Sequence, residues 1–419
     1  PVPMSHVVDP ALAAQGRNQL ELAERHMPAL MNVRRRFAKE KPFAGMTVGM
    51  ALHVTKETGV LVRTLRDGGA TVAIAGCNPL STQDDVAAAL AEEQGVSVWA
   101  YKGETKEDYY KFLVAVIEAG PHLTIDDGCD LVHLLHTSHA KALEKIVGGC
   151  EETTTGVVRL RAMEADGVLK MPVVAVNDNK TKHLFDNFYG TGQSTFDGIL
   201  RAANILIAGK TVVVLGYGSC GKGVALRAAG LGGQVVVTEV DPFRALQASM
   251  DGYRVMPMAE AAKIGDLFIT VTGNLHVIRY EHMEAMKDGA VLANSGHFDC
   301  EIELETLEKK AAKRRVRPFL DEYRLASGKV VFVCGEGRLV NLAAAEGHPS
   351  ELMSLSFCGQ ALAAEYLVKN RATLKPSVIT LPSEIDHSIA RLQLESVGVT
   401  MDSLTKEQQS YLSGWQHGT

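Results

Sequence analysis

Several short apolar runs in this sequence end in clusters of polar and acidic residues, and those clusters hold its first candidate chemistry. His53, Thr55 and Glu57 follow one run; Ser81, Thr82 and Gln83 follow a second; Asp126 and Asp127 close a third; Asn177 and Asp178 close a fourth, with Lys182 and Asp186 just beyond. Carboxylates, an imidazole and a lysine gathered in one pocket are equipped for general acid–base work, where each positioned group contributes about 10²–10⁴ in rate. A lysine serves as a base only if burial or a like charge lowers its pKa. Taken singly, each of these residues reads more readily as a cap or a turn residue. Glu152, inside Glu151-Glu152-Thr153-Thr154-Thr155, stands open between helix cap and site acid.

A second chemistry-bearing stretch reads Gly216-Tyr217-Gly218-Ser219-Cys220-Gly221 directly after the strand-like Thr211–Leu215, with helix-forming sequence Lys222–Leu231, a second strand and Glu239 behind it. The three glycines permit a tight turn, close approach of a pyrophosphate and close helix-to-strand packing, while the helix N-terminus offers free N–H groups and positive dipole. Glu239 falls where an acid accepts from ribose hydroxyls. That acid disfavours a 2′-phosphate, so the expected cofactor is NAD. Arg244, five positions on, is either a phosphate partner or an exposed helix arginine.

Positioning both stretches requires an α/β architecture. Candidate strands Thr47–Val54, Ala70–Cys77, Val96–Tyr101, Leu123–Asp126 and Val173–Val176 alternate with helical sequence such as Asp84–Gln94 and Lys106–Ala119. A second set comprises Thr211–Leu215, Gln234–Thr238, Leu267–Val271, Val291–Asn294 and Val330–Val333. Alternation of this kind predicts two doubly wound parallel sheets, in which ligands bind beyond the carboxyl ends of the strands. The polar stretch Asn177–Gln193 marks a crossing between them. The helical sequence Ser350–Leu367 is the candidate return, and a helical piece follows Pro382.

With 419 residues the chain has enough length for two or three cores. A net charge of -6 gives no general attraction for nucleic acid or anionic lipid, which leaves a small molecule as the expected partner. The sequence shows no signal-type leader and no run of about 18 apolar residues, so the expectation is a cytoplasmic protein without a membrane span. Seven scattered cysteines without a Cys-x-x-Cys pair read as free thiols. His133, His136 and His139 are spaced by three, but the outer two point about 120° apart on a helix, and no metal site is expected. Arg34–Arg36 and Lys309–Arg315 read as solvated helix faces among acids.

In order, the motifs are LHVTKET, STQDD, DDGCDL, EETTTGV, NDNKTKHLFDN, GYGSCGKG, EVDP, SGHFD and EGRLVNLAAAEGHPSELM. From His53 to Met353 this series closely resembles the S-adenosyl-L-homocysteine hydrolase family, in its shorter archaeal and thermophile-type branch. The resemblance implies a substrate-binding domain at 1–184 with 349–383, an NAD-binding Rossmann domain at 185–348, and an oligomerisation segment at 384–419 of a homodimer or homotetramer. It also implies reversible hydrolysis of S-adenosyl-L-homocysteine to adenosine and L-homocysteine. Tightly held NAD oxidises the ribose 3′ carbon, which acidifies the 4′ C–H; elimination expels the thiolate, water adds, and the hydride returns.

Carried over position by position, the resemblance gives Lys182 and Asp186 the 3′ hydroxyl proton, Glu152 the ribose hydroxyls with Asn177 nearby, Asp127 the 4′ proton, His53 the 5′ carbon, and His297 with Phe298 the gate. Thr55, Glu57, Gln83, His348 and Met353 match substrate-recognition positions. Thr153, Thr154, Thr155, Asn187, Ser219, Cys220, Glu239, Arg244, Thr272 and Asn341 join the loop glycines on the cofactor side. Four departures from the family pattern stand out: Thr191 in place of a cysteine, Glu346 in place of a methionine on the purine, Arg244 in place of an asparagine, and a chain ending at Trp415-Gln-His-Gly-Thr419 without a lysine- and tyrosine-bearing tail. Two alternatives stay open: S-inosyl-L-homocysteine as substrate, and an ordinary NAD-dependent dehydrogenase.

Overall fold

A computed structural model describes residues 5–416 and 418; residues 1–4 of the expected substrate domain and His417 and Thr419 of the C-terminal segment lie outside the described residues. Strands β1 (Thr47–Ala51), β2 (Thr71–Ala75), β3 (Val96–Trp99), β4 (Leu123–Asp126), β5 (Gly148–Glu151) and β6 (Val173–Ala175) build a first sheet. Strands β7 (Thr211–Leu215), β8 (Gln234–Thr238), β9 (Arg254–Val255), β10 (Leu267–Thr270), β11 (Ala290–Asn294), β12 (Ala312–Arg317), β13 (Leu320–Arg324) and β14 (Val330–Cys334) build a second. A late strand, β15 (Val378–Ile379), returns to pair with β6.

The first sheet runs β15-β6-β5-β4-β1-β2-β3 and is parallel throughout. From β1 the chain winds one way to β3, then restarts at β4 and winds the other way. The order therefore reverses between β1 and β4, opening a crevice at their carboxyl ends. The second sheet runs β12-β13-β14-β11-β10-β7-β8-β9 and reverses between β7 and β10, with an antiparallel edge at β12 and β13. Each switch point lies next to one of the chemistry-bearing stretches: His53 and Asp127 follow β1 and β4, and the glycine loop follows β7.

Buried aliphatic strands such as Val212–Leu215 have helices on both faces, as a parallel sheet requires. Helix Ser350–Lys369 packs its Leu355, Phe357, Cys358 and Ala361 into the core of the first sheet, although it follows the whole second sheet in sequence. Among the described residues no helix is long and apolar enough to cross a membrane.

Three sequence expectations change here. β5 was not anticipated because Gly148 and Gly149 hide it: a Cβ on Gly148 would stand 2.8 Å from Leu367, and one on Gly149 2.4 Å from Thr124 Oγ1, so close packing excludes the side chains that mark a strand. Lys309–Arg315 is not one helix face. Helix Leu304–Lys310 ends inside it, and the rest is edge strand β12, where Arg314 pairs with Glu322 and Arg315 with Asp321. An exposed edge strand carries no apolar alternation to reveal it. Arg34–Arg36 is helical, within Pro28–Glu40, and Arg35 is exposed as expected, but its two neighbours face other elements: Arg34 meets Glu24 and Asp67, and Arg36 meets Glu365.

Candidate active site

The two crevices open into a single cavity of about 1120 Å³, lined from both sheets. At its centre Lys182 is 5 % exposed and donates from Nζ to Asn177 Oδ1 (2.9 Å) and Asn187 Oδ1 (2.7 Å), with Asp186 Oδ1 at 3.5 Å. Burial alone would lower this lysine, but Asp186, Glu152 and Asp127 outweigh it and hold the ammonium above its ordinary value. The condition for a lysine base is therefore not met by the protein alone. For Asp186 burial pushes up, yet Lys182, His348 and a hydrogen bond from Ser356 Oγ (2.9 Å) hold its carboxylate below the usual range. Glu152 has the opposite balance: burial exceeds the help from Lys182, and its carboxyl is pushed up to about 8. It accepts from Gln360 Nε2 through Oε2, while Oε1 is buried without a protein partner. Glu152 does not cap the following helix; its neighbour Glu151 accepts from the Thr153 N–H instead.

On one side of this cluster Asp127 stands between two imidazoles, with His297 Nδ1 at 3.4 Å from Oδ1 and His53 Nε2 at 3.5 Å from Oδ2. His53 is fixed by Ser81 Oγ at 2.8 Å, and burial, partly offset by Asp127, lowers it to about 4, leaving a neutral ring at neutral pH. Among the described residues, these three rather than the His133–His139 series form the group close enough to hold a metal ion. Behind them burial pushes Asp126 up to about 7 and Glu151 well above the ordinary carboxyl value.

On another side Thr55, Glu57, Met353 and Phe357 line an end that is partly apolar. Glu57 Oε1 accepts from Ser350 Oγ (2.9 Å) and lies 3.1 Å from Lys56 Nζ. Glu346 is turned toward cations, with Lys56 at 3.6 Å and Arg201 at 3.0 Å. His348 contacts Asp186 (3.1 Å) and Ser194 (2.9 Å), and Ser194 accepts from Asn341 Nδ2. Gln83, Asn177 and Gly221 stand behind the wall. Gln83 accepts from the Lys56 N–H, Asn177 braces Lys182 and Thr154, and Gly221 packs against the Gly216 carbonyl.

The far end is the glycine loop. Gly216 has φ +116, and a Cβ on Gly221 would stand 2.1 Å from the Gly216 oxygen, so both positions need glycine. Helix Ser219–Gly230 starts at Gly218 with no side-chain cap, which leaves its first N–H groups to a ligand. Glu239 is fixed by the N–H groups of Tyr217 (2.7 Å), Val240 (2.8 Å) and Asp241 (3.1 Å). Arg244 is half exposed beside Asp241. Thr191 brings no thiol to the site, but its hydroxyl bonds to the thiol of Cys220.

Sequence reading missed Ser356, Gln360 and Ser194, which orient Asp186, Glu152 and His348. For Ser356 and Gln360 the available signal was a set of polar residues within the otherwise apolar helix Ser350–Lys369, since fully buried polar side chains need partners; Ser194 lies on a different helix, Thr191–Ala203.

A family model described as S-adenosyl-L-homocysteine hydrolase matches residues 5–143, and one for the NAD binding domain of the same family matches residues 187–347. Adenosylhomocysteinases of Saccharolobus solfataricus and Aquifex aeolicus are each 57% identical to this chain, over 415 and 414 residues, covering 99% of both partners. An S-inosyl-L-homocysteine hydrolase of Methanocaldococcus jannaschii is 58% identical over 417 residues, 99% of this chain and 100% of that protein. The chain belongs to the S-adenosyl-L-homocysteine hydrolase family.

As a member of that family it carries an NAD-binding domain, and its side chains fit the cofactor. Thr155 Oγ1 and Asn341 Oδ1 line the cavity as buried polar atoms without protein partners, the kind of group a carboxamide satisfies. The uncapped helix start suits a pyrophosphate, and the fixed Glu239 carboxylate suits ribose hydroxyls.

Proposed function

We propose that this chain hydrolyses S-adenosyl-L-homocysteine reversibly to adenosine and L-homocysteine. The observation that carries the reading is Asp127, set between His53 and His297 in the cavity that also holds Lys182, Asp186 and the dinucleotide cradle. A dehydrogenase needs one acid–base centre beside the cofactor; elimination at the adjacent carbon needs a second. Residues 1–184 with 349–383 then act as the substrate-binding unit, 185–348 as the cofactor unit and 384–419 in oligomerisation.

Bound NAD would supply a hydride acceptor for the ribose 3′ carbon and a positive charge near Lys182. With that charge present Lys182 would yield its proton more readily, and Lys182 with Asp186 would then take the 3′ hydroxyl proton. Glu152, holding its proton, both donates to and accepts from the ribose hydroxyls. Asp127 takes the proton from the 4′ carbon, the 5′ C–S bond breaks with its electron pair on sulfur, and His53 orients the departing thiolate and the incoming water. Water would then add its oxygen at the 5′ carbon as Asp127 returns the proton to the 4′ carbon, and the 3′ ketone would regain the hydride at carbon and the proton held by Lys182 at oxygen, which restores the alcohol.

Adenine is the favoured purine. Glu346 has its oxygens engaged by Lys56 and Arg201 and is poorly placed to accept from a hypoxanthine N–H. Glu57, with Oε1 engaged by Ser350, keeps Oε2 for an exocyclic amine. Thiol release from S-adenosyl- and S-inosyl-L-homocysteine by the holoenzyme tests both points. Faster release from the adenosyl compound is expected, a preference for the inosyl compound reverses the purine assignment, and inertness to both with stoichiometric release of reduced cofactor returns the chain to the dehydrogenases.

A further inference from the structure

Glu151 is fully buried and takes no part in the chemistry derived above, yet it is bound at three points. The N–H of Gly128, in the peptide that follows Asp127, donates to both of its oxygens at 3.2 and 3.0 Å, and the N–H of Thr153 donates to Oε2 at 3.1 Å. The carbonyl of the same Gly128 accepts from Arg159 at 2.5 Å, and Arg159 is tied to Asp130 at 2.7 Å. Both backbone polar atoms of the residue next to Asp127 are therefore clamped, one by a residue just before helix Thr154–Ala165 and one by a residue within it.

The turn needs holding. Gly128 has φ +110 and Cys129 φ +68, two successive left-handed residues, the second with a side chain that disfavours that conformation. Nor can the clamp drift on the helix side. A Cβ on Gly156 would stand 2.0 Å from Glu151 Oε1, so the carboxyl is seated against the first turn of the helix whose start presents Thr154 and Thr155 to the cofactor end of the cavity.

We propose that Glu151 and Arg159 are positioning residues for the elimination step, fixing Asp127 through Gly128 and locking it in register with the helix that faces the cofactor. The proposal rests on the reading of Asp127 as the 4′ base. Glu151→Leu removes the acceptor at similar volume. Glu151→Gln keeps a carbonyl that can take the Oε2 position and both of its N–H donors. Arg159→Met frees the other end of the peptide and, with a side chain one-third exposed, leaves the packing intact.

The test uses holoenzyme and adenosine in deuterated water. Oxidation at the 3′ carbon is read from the absorbance of reduced cofactor in a single turnover, and proton removal from deuterium incorporation at the 4′ carbon. Glu151→Leu should slow exchange about 10²-fold, the scale of a misplacement near 1 Å, with oxidation little changed. Arg159→Met should slow exchange about 10-fold with the same sparing, a fraction of that misplacement, and Glu151→Gln should stay within about threefold of wild type. Equal loss of both steps, unchanged exchange in Glu151→Leu and Arg159→Met, or a Glu151→Gln enzyme as slow as Glu151→Leu would overturn the clamp. Oxidation without any exchange in the wild type would instead overturn the assignment of Asp127.

Discussion

The glycine loop after β7 and the acid cluster beside β4, β5 and β6 share one cavity but are built on opposite principles. The loop works through backbone: glycines that leave room, uncapped N–H groups, and a Glu239 fixed by three amides, of Tyr217 just after β7 and of Val240 and Asp241 just after β8. The cluster works through side chains that arrive from distant parts of the chain and alter one another's charge, with Glu152 partnered by Gln360, and Asp186 by Ser356 and His348. A local, backbone-made site tolerates electrostatic change and fails on added volume. A convergent, side-chain-made site should do the reverse.

The largest effect should come from Lys182→Met, which leaves the Asp186 carboxylate buried without its cation. Losing one partner of a buried pair typically destabilises by about 3–5 kcal/mol, and thiol release should fall by about 10²–10⁴. Denaturant unfolding and a thiol assay read the two; a variant as stable as wild type would erase the contrast. Asp127→Asn should lose a similar factor in rate, about 10²–10⁴, while still purifying with its cofactor. Cofactor loss there would mean that Asp127 is not a base.

Next comes Gly221→Ala, a one-carbon addition aimed at the loop. The new Cβ would meet the Gly216 oxygen at 2.1 Å. Overpacking of this kind costs about 1–3 kcal/mol, here concentrated on the turn that holds the pyrophosphate. NAD content of the purified protein should drop sharply while the residues around Lys182 keep their stability. Full cofactor occupancy would show that the loop is looser than its contacts imply.

The smallest effect is a pH dependence. Glu152 holds its proton up to about 8 in the folded chain but releases it near 4.5 when unfolded. The folded chain therefore binds more protons across that window, and this contribution to stability is lost as pH rises through it. Glu152→Gln removes the dependence. Relative to wild type, its Tm should improve by at least about 2 °C between pH 5 and pH 8, even as activity falls. His53, lowered to about 4, works in the opposite sense between about 4 and 6.5, but is present in both proteins and cancels in the difference. A constant Tm difference across the range would mean that Glu152 is ionised in the fold.

The same division explains what was legible beforehand. β7, β8 and the glycine loop were read with their true bounds, because period, glycine spacing and terminal acid all lie within one stretch of sequence. Most strands of the first sheet were placed within a few residues, which put His53 and Asp127 at strand ends. Glu152 stayed ambiguous because β5 opens on Gly148-Gly149, shaped by contacts with Leu367 and Thr124 that no local pattern encodes. The raised state of Lys182 was equally hidden, since it is the sum of three carboxylates brought together by folding.

Helix Ser350–Lys369 also sets a timetable. Glu152 precedes its partner Gln360 by 208 residues and Asp186 precedes Ser356 by 170. At about 5–20 residues per second of synthesis, Glu152 leaves the ribosome roughly 10–40 s before Gln360 does. Through that interval β1–β6 can pair, but two of the acids that matter most lack the groups that orient them. The nascent chain thus builds its dinucleotide cradle first and completes its acid–base centre last, when the chain returns to the sheet it began.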